Sequence, residues 1–180
     1  LPANAGGPGV PPIALTWTAA RSDYCATTGV LGPFASIAYN GTPGGLRAGA
    51  LVAVGLGSTA NITRMKHITD GTSTTTLIGE RVGGSNIYRK TQIDPTLTAG
   101  GGVVQGGAWG DLLNGEHWIA GSLYDGTSPA GGGPCPINCT NQRGRGYMSF
   151  HPGGAHFAMA DGVVKMASEN ISAQIMAGII

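Results

Sequence analysis

From residue 157 to 166 the chain reads Phe-Ala-Met-Ala-Asp-Gly-Val-Val-Lys-Met, with large apolar side chains alternating with smaller or polar ones around an Asp-Gly pair. Alternation of this kind marks a half-buried strand, and Asp-Gly between two such runs marks a two-residue type I′ hairpin. With Asp161 and Gly162 as the turn, Ala160 faces Val163, Met159 faces Val164, Ala158 faces Lys165 and Phe157 faces Met166. Phe157, Met159, Val164 and Met166 then form opposed apolar pairs on one face. A slip of one residue would scatter that set. Beyond the hairpin, Ile171, Ile175 and Ile179 recur at helical spacing behind Ser168 or Asn170 as N-cap, which predicts a short terminal helix.

The rest of the pattern is weaker. Residues 74–82 (TTTLIGERV) predict a strand entered from the turn signal TDGTS, and 13–20 and 46–56 are further strand candidates. Residues 109–121 fit a short helix or a strand pair, while 97–108 and 125–134 are glycine-rich and read as long loops. Residues 1–13 are proline-rich and read as an extended lead-in, followed by one β-rich domain over 14–180. The expected fold is mainly β, or α+β with few helices: an antiparallel sheet with long Gly-rich loops, a C-terminal Asp-Gly hairpin and a short terminal helix.

Composition sharpens this class. Charged residues make up 11% of the chain, against roughly 25% in ordinary soluble domains. Glycine fills 33 of 180 positions and the formal net charge is +1. Without clustered Arg and Lys there is no footprint for nucleic acid. Residues 46–56 are apolar but too short to span a membrane, and they carry Arg47. The chain has neither the basic start nor the apolar block of a signal peptide, and it begins without Met, as expected of a processed product or fragment.

Candidate chemistry is sparse. Cys135-x3-Cys139-x11-His151-x4-His156 approaches the spacing of a Cys2His2 zinc site. Pro152-Gly153-Gly154 denies those histidines a helix, however, and a local Cys135–Cys139 disulfide with hydrogen-bonded histidines is preferred. Cys25 is then the odd thiol. Asp161, Asp70, Asp125, Glu80 and Glu169, in or near Gly-rich turns, are the candidate calcium ligands, Asp161, Asp70 and Glu80 foremost, although turn aspartates commonly bond their own backbone. No Gly-x-Ser-x-Gly elbow or phosphate loop occurs. Glu116 beside His117 is an unspecific dyad, so a hydrolase built on His117 or His151 is a third-ranked reading. Sequons fall at Asn40, Asn61, Asn138 and Asn170.

The segment SFHPGGAHFAMADGVVKMASENI resembles the closing segment of the DUF1559 family, the pilin-like proteins of planctomycetes. Their signature is a histidine, nine residues, then Asp-Gly, which falls here on His151, Asp161 and Gly162. ITDGTSTTTLIGER resembles a second family segment through Asp70, Gly71, Thr72, Ser73, Gly79, Glu80 and Arg81. INCTNQRG and SDYCATTG match more loosely. The resemblance implies a prepilin-type start with an apolar helix, followed by a β-rich head, and it implies no catalytic residues. His151 and Asp161 are expected to be architectural, the aspartate setting the hairpin turn and the histidine pinning the bend beside it.

The expected role is therefore non-enzymatic: a structural subunit of an extracellular or cell-surface pilin-like or pseudopilin-like filament, periplasm-exposed in the pseudopilin case. Its partners would be copies of itself or other pilin-like subunits, with no cofactor beyond the calcium alternative. The competing reading is an extracellular binding module for a glycan, using Trp17, Trp109 and Trp118 as a stacking platform, or for a divalent ion.

Overall fold

The computed structural model describes residues 18–41, 47–51, 63–101 and 105–180. In chain order the strands are β1 (Tyr24–Ala26), β2 (Gly29–Val30), β3 (Arg47–Ala48), β4 (Thr76–Glu80), β5 (Tyr88–Arg89), β6 (Gln92–Ile93), β7 (Trp118–Ile119), β8 (Gly154–Met159) and β9 (Val164–Ser168). The helices are α1 (Gly32–Ala38), α2 (Pro95–Gly101) and α3 (Ala173–Ile179). The fold is β-rich and mainly antiparallel. Its principal sheet has the order β1-β4-β8-β9, and a smaller one runs β3-β2-β7, with β2 parallel to β7. The proline-rich lead-in lies outside the described residues, as do most of the strand candidates at 13–20 and 46–56, of which Arg47–Ala48 is in β3.

The C-terminal hairpin forms, but in a different register from the expected one. Ala158 pairs with Val164, Phe157 with Lys165 and His156 with Met166. Met159 N–H donates to Val163 O and Gly162 N–H to Met159 O, each at 2.9 Å. The loop is thus three residues, Ala160-Asp161-Gly162, with only Gly162 in the left-handed region at φ 86°. That is a type I turn closed by a glycine bulge, not the two-residue type I′ turn. Asp161 is held outside the left-handed region by its neighbours: its N–H reaches Thr72 O, and its carboxylate accepts Val163 N–H at 3.0 Å. The extra residue turns β9 over. Phe157 and Met159 stay buried, whereas Val164 and Met166 face out, 62% and 55% exposed.

Two helices also correct the pattern reading. Ser172, rather than Ser168 or Asn170, caps α3 by accepting Ile175 N–H at 3.2 Å. The helix buries Met176 and packs Ala173, Ala177 and Ile179 on the core; of the three expected isoleucines Ile171 and Ile179 lie against the core and Ile175 is exposed. Its C-terminal end is tied to the main sheet by Thr76 Oγ1, which donates to Ile179 O at 2.9 Å. Within the expected loop 97–108 lies most of α2, where Asp94 Oδ1 accepts Leu97 N–H at 2.8 Å and Pro95 opens the first turn. Residues 109–121 give a 3-10 turn at Leu112–Asn114 and then β7.

The core lies on one face of the main sheet. Cys25, Ala155, Phe157 and Met159 cluster there with Phe34, Ile119, Ile137, Tyr147 and Met176. Tyr147 is its hub, edge-on to Phe157 at 4.8 Å and to His117 at 4.9 Å, with its hydroxyl bonded to Thr27 Oγ1 at 3.0 Å. Gly79 makes room for that ring. A Cβ there would lie 2.4 Å from Tyr147 and 2.8 Å from Phe157.

Candidate functional site

Strand alternation decides which side chains meet on the opposite, outer face. Tyr24 pairs with Glu80, and His156 with Met166. The β4–β8 pairing sets Ile78 opposite Ala158 and Gly79 opposite Phe157, so Glu80, one residue further on, comes level with His156. His151 arrives from the bend before β8. That bend is held by the Ser149 hydroxyl, which bonds His151 O and Gly154 O. Ser149 thus holds the bend from within, and the His151 ring crosses from it to β4.

There it meets Glu80. His151 Nε2 and His156 Nδ1 each lie 3.2 Å from Glu80 Oε2, and the His156 backbone N–H donates to the same oxygen at 2.8 Å. The two imidazoles are 4.8 Å apart between centroids. The Glu80 carboxylate is nearly buried, while the two histidines are about 40% exposed. Among the described residues, this is the one group of three or more His, Cys, Asp or Glu side chains whose ligand atoms lie within 4.8 Å of one another. Such a cluster can share protons through hydrogen bonds or present two nitrogens and one oxygen to a cation.

The other expected site residues fall elsewhere. Cys135 and Cys139 are joined as a disulfide, so their sulfurs are not zinc-ligating thiolates and the four-ligand Cys2His2 set divides. Asp161 sits at the hairpin tip. Asp70 and Gly71 sit in the turn before β4, where Thr75 Oγ1 bonds Asp70 Oδ1 and Gly71 O. Asp70, Asp161 and Glu80 thus do not gather as a calcium trio. Arg81 is buried, with Nη2 on Asn114 Oδ1 at 3.3 Å and with no acceptor for Nε or Nη1 among the described residues.

His117 and Glu116 do not form a dyad. The His117 ring is buried with Nε2 3.0 Å from Gly146 O, whereas Glu116 accepts Trp118 Nε1–H at 2.8 Å. Burial, reinforced by the Arg81 charge, holds His117 well below the usual histidine range. Cys25 is buried with its thiol toward Gly79 O, and burial raises its pKa. Trp109 is exposed, Trp118 is half-buried over Gly29, and Trp17 lies outside the described residues. Of the sequons, Asn40 and Asn170 are exposed, while Asn138 Nδ2 is held by Glu169 Oε2 at 3.0 Å; Asn61 lies outside the described residues.

No single expected set contained the Glu80–His151–His156 cluster; its members were divided between the calcium and zinc readings. A signal for it exists in the alternation of the strands. Glu80 is out of phase with the buried Gly79, and His156 is out of phase with Phe157 and Met159, so both belong to the outer face.

No curated protein and no solved structure matches the chain. A family model described as "Protein of unknown function (DUF1559)" matches residues 22–174, taking in β1, the Asp70-Gly71 and Asp161-Gly162 segments and the whole Glu80–His151–His156 cluster. The chain belongs to the DUF1559 family.

Proposed function

We propose that this β-rich domain is the head of a pilin-like or pseudopilin-like subunit, exposed at the cell surface or outside it, that works by packing against copies of itself and not by catalysis. The observation that carries this reading is the outer face of the main sheet. Ile78, Ala158 and Val164 form an apolar row across β4, β8 and β9, and Tyr24 and Met166 flank the Glu80–His156 pair in the next row, with Tyr24, Ile78, Val164 and Met166 41–62% exposed. Contiguous exposed apolar surface is a mark of association. A formal net charge of +1 opposes the approach of identical copies only weakly. Among the described residues no helix is long and apolar enough to cross a membrane, so in this reading assembly contacts of the head come from sheet and loops.

The test is negative-stain microscopy of native material, with light scattering of the chain and of a Val164→Lys/Met166→Lys double variant. Assemblies should form and the double variant should disperse them, since both side chains point to solvent and the fold tolerates the change. Wild-type material that stays monomeric at all concentrations would remove the proposal. The ion-binding alternative is favoured by a separate observation, the convergence of two imidazoles on one carboxylate.

A further inference from the structure

We propose that Glu80, His151 and His156 form a binding site for one divalent transition-metal ion, zinc being the best fit. The inference rests on side-chain geometry and concerns the free head, because the cluster lies on the outer face between Tyr24 and Met166. The three donors come from β4, from the Ser149-held bend and from β8, 71 and 76 residues apart in sequence. Zinc ligands at about 2.0–2.1 Å in a tetrahedron stand roughly 3.3–3.4 Å from one another. Both nitrogen-to-carboxylate distances are 3.2 Å, so the oxygen already lies at a tetrahedral edge from each ring, and the three ligand atoms lie within 4.8 Å of one another, so the exposed rings must turn toward each other to close the third edge on an ion.

The site has a fixed part and an accessible part. The nearly buried carboxylate is aimed by the His156 backbone N–H at 2.8 Å, the kind of outer hydrogen bond that orients a metal ligand. The histidine rings are 38% and 41% exposed, so an ion can enter from solvent and water can complete its coordination. Two imidazoles and one carboxylate suit zinc, cobalt or nickel, whereas calcium calls for six or more oxygens. Asp161 and the Cys135–Cys139 disulfide take no part. A purely structural role for the cluster, two hydrogen bonds clamping the bend to β4, gives the competing expectation: the same side chains with no affinity for metal.

The experiment is calorimetric titration of the chelator-treated chain with zinc chloride, with calcium chloride as the contrasting ion. One zinc per chain should bind at micromolar concentrations, with no heat from calcium. His151→Ala and His156→Ala should each weaken binding about tenfold or more, a loss of at least 1.4 kcal/mol. His67→Ala, at an exposed histidine outside the cluster, should change nothing. Because Glu80 is nearly buried, Glu80→Gln serves as its variant: the amide can still accept the His156 N–H but lacks the charge, and it too should bind zinc more weakly. A readout independent of variants is the wild-type imidazole resonances, where zinc should shift His151 and His156 and leave buried His117 in place. Absence of zinc binding by the folded wild-type chain would overturn the proposal. So would binding indifferent to both histidine variants, or binding lost equally in His67→Ala.

Discussion

Gly79 shows what a single missing side chain does here. It precedes Glu80 in β4, so alternation turns it to the core just as Glu80 turns out. A methyl at this position would meet the Tyr147 ring at 2.4 Å, and that ring is itself fixed by Phe157, His117 and the Thr27 hydroxyl. Neither backbone nor ring can yield freely, so Gly79→Ala should destabilise the domain by about 1–3 kcal/mol, the usual range for overpacking a tight core. Urea unfolding followed by tryptophan fluorescence would read it. An unchanged midpoint would mean that Tyr147 is not held as described. The Gly-Glu-Arg triplet of the family segment thus combines three separate jobs: room for the Tyr147 ring, a carboxylate for the two histidines, and a buried guanidinium.

At the scale of elements, the hairpin shows how far the amino-acid pattern can be read. Its existence, its strands and the buried Phe157 and Met159 follow from alternation and the Asp-Gly pair. The register does not, because Asp-Gly serves a three-residue loop as well as a two-residue one. What decides between them is contact with a distant turn: Ala160 and Asp161 donate their N–H groups to Thr75 O and Thr72 O. No local pattern carries that information. The same limit hid α2, whose Asp94-Pro95 start is legible while its glycines argue for a loop, and in α3 it left Ile175 exposed and Met176 buried although Ile171 and Ile179 pack on the core as expected. The zinc and calcium readings failed as sets for a related reason, since each grouped ligands by sequence spacing and β4 lies 71 residues from His151. The turn offers a direct check. A Cβ on Gly162 would touch nothing within 4 Å, yet the residue stands at φ +86°. Gly162→Ala should therefore cost about 1–2 kcal/mol through backbone strain alone, and Gly162→Asn should cost less. Asp161→Ala should lose only the Val163 N–H bond, a change of roughly 0.5–1.5 kcal/mol. A loss at 161 larger than that at 162, or no loss at 162, would count against the three-residue turn.

For the molecule as a whole, the burial of three titratable groups around one core sets the range of pH it tolerates. His117 is held below its ordinary value by burial, then by Arg81. As pH falls through about 6.5 the unfolded chain takes up a proton that native His117 refuses, so stability present at neutral pH is lost on acidification, at up to about 1.4 kcal/mol per pH unit. Cys25 and Tyr147 are shifted the other way, their pKa values raised by burial. The stability they confer is intact below their unfolded values, near 8.5 and 10, and fades as pH rises past them, because the unfolded chain releases protons the native one keeps. Unfolding free energy measured by urea from pH 5 to pH 10 should accordingly form a dome, falling on both sides of neutrality. His117→Gln, which keeps an amide donor for Gly146 O, should remove about 1 kcal/mol of the difference between pH 7.5 and pH 5.5 while leaving the alkaline limb in place. Cys25→Ala should flatten the first part of the alkaline limb and leave the acid one. An acid limb identical in wild type and His117→Gln would show that the ring is protonated inside the fold, which the carbonyl at Nε2 alone would then have to support against Arg81.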